Sequence, residues 1–414
     1  MVKIVGRIFN NKFIQGGMLL TITNFLVGFM NYLFNSLAGK ALGPAKYSEI
    51  TALFSYLFIF LVPIATISTE IIRRLGQKGK TRLTVIKSWE SWFWKKIRRW
   101  SFLVLPYFLL ILWLPRWTNL SLQSSISLLL ILLLSFFSVF YAASLLGIHR
   151  LFDYSLALII ATFIKLIGPV LVILKLGNLS LILIFIVVSN LVLWIMDKIL
   201  LQKAVKNQKA QPPVEKRIAE IIFTKSIFII FITSISINLL NNLDVIFVKK
   251  FFVAETAGLY GAWNLYAKII FYVLSPILTT GFIFFTAKEE QKKHLKTIFS
   301  SIILLIAAGF ACYLFYRLFP RFVILFIFNQ SYLSIKPILP YAAIFGINYC
   351  LISLLSGFFL SQNSYKAMVI FPFIIIYGVS LLLFGRGLEQ IVTVNIIIST
   401  LIFLTYLGLI LVKR

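Results

Sequence analysis

Long apolar runs recur along this chain, and short polar or basic segments separate them. Each run has about 20 residues, enough for a helix to cross the roughly 30 Å hydrocarbon core of a membrane. Backbone groups in that core must bond within the segment, and the alternating pattern of a membrane barrel is missing. The pattern predicts twelve spanning helices, over roughly 14–38, 47–72, 100–118, 122–147, 153–174, 179–200, 226–248, 258–286, 297–316, 338–360, 367–385 and 390–411.

Composition agrees with this pattern. The chain is 60% hydrophobic and 13% charged, and its mean hydropathy is +0.98. Soluble domains are about 45–50% apolar and about 25% charged. We therefore predict an all-α polytopic membrane protein of about twelve transmembrane helices. The first apolar run contains Asn24, Asn31 and Asn35 and is longer than the apolar part of a signal peptide, so we interpret it as a retained helix.

The net charge of +28 is distributed unevenly between the two sides of the predicted membrane. With the N-terminus in the cytoplasm, 28 Lys and Arg residues fall on the cytoplasmic side and 10 on the outer side. This bias predicts a multi-pass protein of the cytoplasmic membrane with both termini in the cytoplasm. A basic cytoplasmic face suits anionic membrane lipids, and charges dispersed over membrane-flanking loops argue against nucleic-acid binding.

Two segments of the chain echo each other at half its length. In each, a Gly/Pro/Ala break precedes a tyrosine, and Tyr47 and Tyr260 are 213 residues apart. Pro63 and Pro276, each 16 residues past a tyrosine, keep the same interval. A polar basic segment around Pro212-Pro213 separates six predicted spans from six. We therefore predict an N-terminal lobe over 1–201, a cytoplasmic basic linker over 202–221 and a C-terminal lobe over 222–414.

Polar residues inside the predicted spans mark candidate site positions, because polar groups are costly in the bilayer. Three stripes follow helical spacing: Asn24, Asn31 and Asn35 in the first span; Asn238, Asn241, Asn242 and, nearby, Asp244 in the seventh; and Tyr260, Asn264, Lys268 and Tyr272 in the eighth. Lys268 is predicted about 15 Å deep, and Lys165 is the other deep cation. The stripes either line a shared water-filled cavity or join helices by hydrogen bonds, and Lys165 either lines the same space or pairs locally.

No pattern in the chain predicts a catalytic group, a cofactor or a bound metal. A second basic segment, from Arg73 to Arg99, contains Trp89, Trp92 and Trp94 among its cations. Tryptophans mixed with cations are typical of an amphipathic helix at the membrane surface. A lipid-headgroup site on it is one alternative interpretation.

The echoed turns resemble those of the multidrug/oligosaccharidyl-lipid/polysaccharide (MOP) flippase superfamily. The residues concerned are Leu42-Gly43-Pro44-Ala45-Lys46-Tyr47, and Asn242-Leu243-Asp244 followed by Ala257-Gly258-Leu259-Tyr260. Members typically have a Leu-Gly-Pro turn ending in Tyr-Gly and an Ala-Gly-Leu-Tyr turn, and this chain has Ser48 where a glycine often follows. More narrowly, these turns resemble those of the polysaccharide-transport branch, which includes the Wzx-type O-antigen flippases.

This resemblance implies two pseudo-symmetric six-helix lobes, a cavity lined mainly by helices one, two, seven and eight, and alternating access. It also implies a flippase, not an enzyme, for a polyprenyl-pyrophosphate-linked glycan, acting beside a glycan polymerase or glycosyltransferases. The family does not assign a lysine at this place, but by its position Lys268 is our candidate to hold the anionic head of the substrate. The alternatives are a MATE-like multidrug exporter, which usually relies on acidic residues in the membrane, and a membrane-embedded glycan polymerase or ligase.

Overall fold

A computed structural model of the chain describes residues 12–77, 82–206, 225–286 and 291–412. No strand occurs in these ranges, which confirms the predicted all-α class. The main helices are α1 (Lys12–Phe60), α2 (Val62–Gln77), α3 (Arg82–Arg99), α4 (Leu122–Gly147), α5 (Leu151–Ile173), α6 (Leu179–Val205), α7 (Lys225–Phe251), α8 (Ala254–Thr286), α9 (Gln291–Leu318), α10 (Leu339–Ser361), α11 (Ile370–Phe384) and α12 (Leu388–Leu411). Within the described ranges, nine helices are long and apolar enough to cross a membrane, and the protein is a multi-pass membrane protein.

Gly43 and two prolines explain where the helices depart from the predicted spans. Gly43 has φ 68° and ψ 171°, which breaks α1 into two arms at the first echoed turn. Pro106 and Pro115 lack the N–H that continues a helix. The third predicted span is accordingly divided into short helices over Ser101–Leu103, Val104–Leu109, Leu110–Leu112 and Leu114–Thr118.

Polar side chains define the starts of two helices in the membrane region. The side chain of Ser121 accepts a hydrogen bond from the backbone N–H of Ser124 at the start of α4. Asn178 accepts from the N–H of Ser180 at the start of α6. Each cap satisfies an N–H that the helix itself leaves unpaired. Both helices begin at the residue that the apolar pattern predicted.

The chain divides into two compact units, of which the first comprises Met1–Phe34 and Pro63–Thr224. In it, α4, α5 and α6 pack together. A buried cluster joins α4 and α6 to α2 and α3, and its members are Leu75, Ile86, Phe140, Tyr141, Leu145, Leu201 and Val205. The basic segment with the tryptophans therefore forms a helix, α3, that is packed on α4 and α6 through one face.

The second unit comprises Asn35–Val62 and Lys225–Arg414. Its central helix is α10, in which 17 of 23 residues are buried. At Gly346 a side chain would meet the carbonyl oxygen of Ala267, so this glycine permits the close approach of α8 and α10. The turn at Gly43 is part of this unit. The division of the chain at the linker stays a prediction, because positions 207–224 lie outside the described residues.

Candidate functional site

A buried polar network surrounds Asp244 in the second unit. The hydroxyl of Tyr260 donates to Asp244 Oδ2 at 2.5 Å, and the amide of Asn395 donates to the same oxygen at 2.9 Å. The N–H of Val245 donates to Asp244 Oδ1 at 2.8 Å. Asp244, Tyr260 and Asn395 are all fully buried. A buried carboxyl group is tolerated only with such partners, so this network joins α7, α8 and α12.

Two further residues extend the network around Asp244. Tyr377 on α11 donates from its hydroxyl to Asn395 Oδ1 at 2.7 Å. Asn264 on α8 donates to Asp244 Oδ2 over a longer 3.4 Å. Neither Tyr377 nor Asn395 was predicted as a site residue. A sequence signal was present, since each is a polar residue inside an apolar span.

Lys268 lies two helical turns beyond Tyr260 on α8, and the residue as a whole is partly buried. Its Nζ donates to Asn242 Oδ1 at 3.0 Å and lies 5.8 Å from the ring centroid of Phe58. An amide oxygen and an aromatic face both attract a cation without neutralising its charge. The described contacts therefore keep Lys268 in place and leave it able to attract an anion.

The asparagines of α7 have separate partners. Asn242 and Asn238 donate from Nδ2 to backbone carbonyls one turn earlier, Asn242 to Asn238 at 2.9 Å and Asn238 to Ser234 at 2.9 Å. Asn242 thus uses its N–H group on its own helix and its oxygen on Lys268. Asn241 forms a side-chain hydrogen bond with Tyr349 on α10. Tyr272, the last residue of the α8 stripe, is half-buried beside the ring of Phe271.

The first unit contains the second deep cation. Lys165 on α5 donates to Asn31 Oδ1 on α1, and its Nζ lies 5.0 Å from the ring centroid of Phe34. These contacts are of the same kind as those of Lys268, an amide oxygen and a phenyl ring. Of the other α1 asparagines, Asn24 is exposed and Asn35 accepts from the hydroxyl of Tyr47 at 3.2 Å within the second unit.

The two echoed turns contact each other inside the second unit. Gly258, in the second turn, lies so close to Pro44, in the first, that an added Cβ would overlap the Pro44 carbonyl group. The ring of Tyr47 packs against Phe328 at 5.6 Å and Tyr332 at 6.2 Å between centroids. Burial raises the pKa of Tyr332, so its hydroxyl stays protonated and donates to the Gly39 carbonyl at 3.1 Å. The two segments that repeat in sequence therefore also pack against each other.

A buried ion pair near these turns was not predicted. Lys249 Nζ lies 2.7 Å from Glu49 Oε1 and donates to Ser48 Oγ at 3.0 Å. Only 6% of the Lys249 side chain and 13% of the Glu49 side chain are exposed. Lys249 and Lys250 look alike in sequence, but Lys250 is exposed. Ser48 and Glu49 directly follow the first echoed turn, and Lys249 lies between Asp244 and Ala257 of the second. The sequence analysis did not predict that the two turns contact each other, so it missed this ion pair.

The structure thus brings the predicted residues together in three groups. Asp244, Tyr260 and Asn264 share one network, Lys268 pairs with Asn242, and Lys165 pairs with Asn31. Asn24, Asn35, Asn238, Asn241 and Tyr272 lie outside these groups. Contact between a substrate and any of these predicted residues, inside or outside the three groups, stays a prediction.

Comparison with solved structures identifies the fold. An inward-facing multidrug-resistance MATE transporter of the MOP superfamily has a TM-score of 0.68 at 14% identity, over 94% of this chain and 98% of that one. The lipid II flippase MurJ, in an inward closed conformation, has a TM-score of 0.67 at 15% identity, over 97% and 88%. The multidrug transporter DinF-BH in complex with R6G has a TM-score of 0.68 at 16% identity, over 96% and 94%.

The class defined by these likenesses is a multi-pass membrane protein with the fold of MOP-superfamily transporters. No family model and no curated protein matches the chain. At 14–16% identity, the likeness of these structures shows the fold alone. The same fold serves a lipid flippase and multidrug transporters, so the choice between them rests on the residues of this chain.

Proposed function

We propose that this protein is a MOP-superfamily flippase that moves a polyprenyl-linked oligosaccharide or polysaccharide precursor across the cytoplasmic membrane by alternating access. The observation that carries the proposal is the contact set of Lys268, an ammonium group that the sequence places about 15 Å deep in the eighth predicted span. A cation at that depth is rare and typically marks a substrate path. Its hydrogen-bond and ring partners are an amide and a phenyl group, and the buried carboxyl group of Asp244 acts on it only through space. A phosphate group of a substrate could therefore still bind it as a point charge.

The arrangement of Asp244 favours a flippase over a multidrug exporter. An exporter of cations needs a carboxyl group that its substrate can reach. Asp244 is fully buried and already accepts from Tyr260, Asn395 and Asn264. The charged residue of the α7 and α8 stripes that is only partly buried is instead Lys268, a cation. We therefore expect an anionic substrate, handled beside the glycosyltransferases or polymerase of the same pathway.

Reconstituted transport tests this proposal. The protein is placed in vesicles with a fluorescent polyprenyl-pyrophosphate-linked oligosaccharide, and movement between leaflets is followed with a membrane-impermeant quencher. We expect Lys268→Gln to slow transport about tenfold or more, the effect of losing one charged hydrogen bond of about 1.5–3 kcal/mol. Lys268→Arg keeps the charge and should retain part of the activity.

Lys250→Gln is the matched control, since Lys250 is an exposed lysine in α7. It should transport at the wild-type rate. Equal rates for Lys268→Gln and wild type would remove Lys268 from the mechanism. A wild-type protein that moves no such lipid but exports cationic dyes would instead be a MATE-like exporter.

A further inference from the structure

Helix α3 presents a group of exposed cations on the side away from the first unit's core. We call this group the α3 basic face, and it consists of Lys95, Lys96, Arg98 and Arg99. Within the described ranges, none of the four forms an ion pair. The acidic residue of α3, Glu90, instead accepts from Tyr141 at 3.2 Å and from Gln202 at 3.0 Å. The basic face therefore keeps its full positive charge.

The opposite side of α3 fixes the direction of this face. Ile86 is fully buried, and the ring of Phe93 stacks on Phe140 with 5.5 Å between centroids. Trp94 stacks on Phe137 at 5.9 Å, and its Nε1 donates to the hydroxyl of Tyr141 at 2.8 Å. With these contacts in place the helix cannot rotate about its axis, so the four cations face outward.

The residues after α3 locate the basic face relative to the membrane. Trp100 is 52% exposed, and beyond it Leu105 and Leu112 are 72% and 66% exposed. In a membrane protein, such apolar side chains face lipid tails. Tryptophan and the ends of long cationic side chains favour the headgroup level. The change from exposed cations to exposed leucines at Trp100 therefore places the basic face among the headgroups.

We propose that the α3 basic face binds the phosphate groups of anionic bilayer lipids. Arg98 and Arg99 can hold phosphate oxygens in a forked geometry, and Lys95 and Lys96 add point charges. The ring of Trp92, 5.9 Å from Lys96 Nζ, supports that lysine on the outer side of the helix. The lipid bound at the α3 basic face is a bilayer lipid and not the transported substrate. The proposal therefore does not depend on the proposed function.

Energy transfer from tryptophan to dansyl-labelled lipid tests the site, since Trp92, Trp94 and Trp100 lie beside it. The full-length protein in non-ionic detergent is titrated with dansyl-phosphatidylglycerol and, separately, dansyl-phosphatidylcholine. The variant carries Lys95→Gln, Lys96→Gln, Arg98→Gln and Arg99→Gln. Each lost cation should weaken phosphatidylglycerol binding about fivefold, which corresponds to about 1 kcal/mol. Phosphatidylcholine binding should not change.

A second quadruple variant has the same composition and charge change at exposed positions elsewhere: Lys175→Gln, Arg317→Gln, Lys336→Gln and Arg386→Gln. It should bind phosphatidylglycerol as the wild type does. Equal losses in both variants would show general charge attraction and overturn the site. Equal affinity of the wild type for both lipids would overturn it too, as would an unchanged α3 variant. Should the quadruple variant fail to fold, the double change Arg98→Gln and Arg99→Gln gives the same comparison at about 25-fold.

Discussion

Tyr47 and Tyr260 end the two echoed turns, and both are fully buried in the second unit. The hydroxyl of Tyr47 donates to a neutral amide, that of Asn35, at 3.2 Å, and its ring packs among Phe328 and Tyr332. The hydroxyl of Tyr260 donates to the carboxyl group of Asp244 at 2.5 Å and accepts from Asn395 at 2.7 Å. The same turn sequence therefore supports two different interactions.

The difference comes from the residues that precede each tyrosine. Asn35 lies 12 residues before Tyr47, whereas Asp244 lies 16 residues before Tyr260. A hydrogen bond between neutral groups contributes about 0.5–1.5 kcal/mol, and the loss of a donor to a buried carboxyl group adds a desolvation cost of about 1–3 kcal/mol. The second turn is thus expected to stabilise the unit through its hydroxyl, and the first mainly through ring packing. Four substitutions test this comparison.

The largest effect is expected where the turns touch. In Gly258→Ala, the new Cβ would overlap the carbonyl group of Pro44, and a backbone group cannot turn aside as a flexible side chain can. We expect a loss of about 3 kcal/mol or more in the free energy of unfolding, the upper range for overpacking. Thermal melting of the protein in detergent should show the lowest midpoint of the four variants.

Gly408→Ala is the matched control for this substitution. Gly408 lies in α12 with no atom within 4 Å of an added Cβ. Alanine favours helix by up to about 1 kcal/mol over glycine, so this variant should melt at or above the wild-type midpoint. A Gly258→Ala protein that melts like the Gly408→Ala protein would mean that the two turns do not touch.

The next effect is expected at Tyr260. Tyr260→Phe removes the shortest of the hydrogen bonds to Asp244 and leaves the buried carboxyl group with fewer donors. We expect a loss of about 1.5–3 kcal/mol in the free energy of unfolding, again from melting. A double-mutant cycle with Asp244→Asn assigns the loss to the carboxyl group, because Tyr260→Phe should cost less on that background. An equal cost on both backgrounds would contradict this assignment.

A smaller effect is expected from backbone strain at Gly43. Its φ of 68° with ψ of 171° is a conformation that residues with a side chain rarely adopt, although no atom lies within 4 Å of an added Cβ. Gly43→Ala should therefore cost about 1–3 kcal/mol through strain alone. Gly28→Ala, in the same helix and also with open space, should not destabilise the protein. Equal melting of the two variants would show that the first turn does not need a glycine.

Helix positions in this chain follow from sequence where one local property decides them. The apolar run over 122–147 coincides with α4, and Ser121 caps its start. The division of the third predicted span into short helices also follows from a local property, the two prolines Pro106 and Pro115. In these places the backbone's need for internal hydrogen bonds decides the structure.

Contacts between distant segments do not follow from hydropathy. An apolar side chain facing lipid and one facing another helix look alike in sequence, so hydropathy did not predict that Asn35–Val62 would join Lys225–Arg414 in one compact unit. Glu49 and Lys249 are 200 residues apart in sequence, and their ion pair could not be predicted for the same reason. The stripes that contain Lys268 and Asp244 were predicted from their cost in the membrane, but their partners Asn242, Phe58 and Asn395 needed the structure.

The smallest effect is expected from Tyr47→Phe. This substitution removes the hydroxyl that donates to Asn35 and keeps the ring against Phe328 and Tyr332. The loss in unfolding free energy should be about 0.5–1.5 kcal/mol, below that of Tyr260→Phe in the same melting experiment. Tyr47→Leu also removes the aromatic contacts and should cost more than Tyr47→Phe. If Tyr47→Phe costs as much as Tyr260→Phe, the two turns are equivalent in energy, and the carboxyl group of Asp244 does not distinguish them.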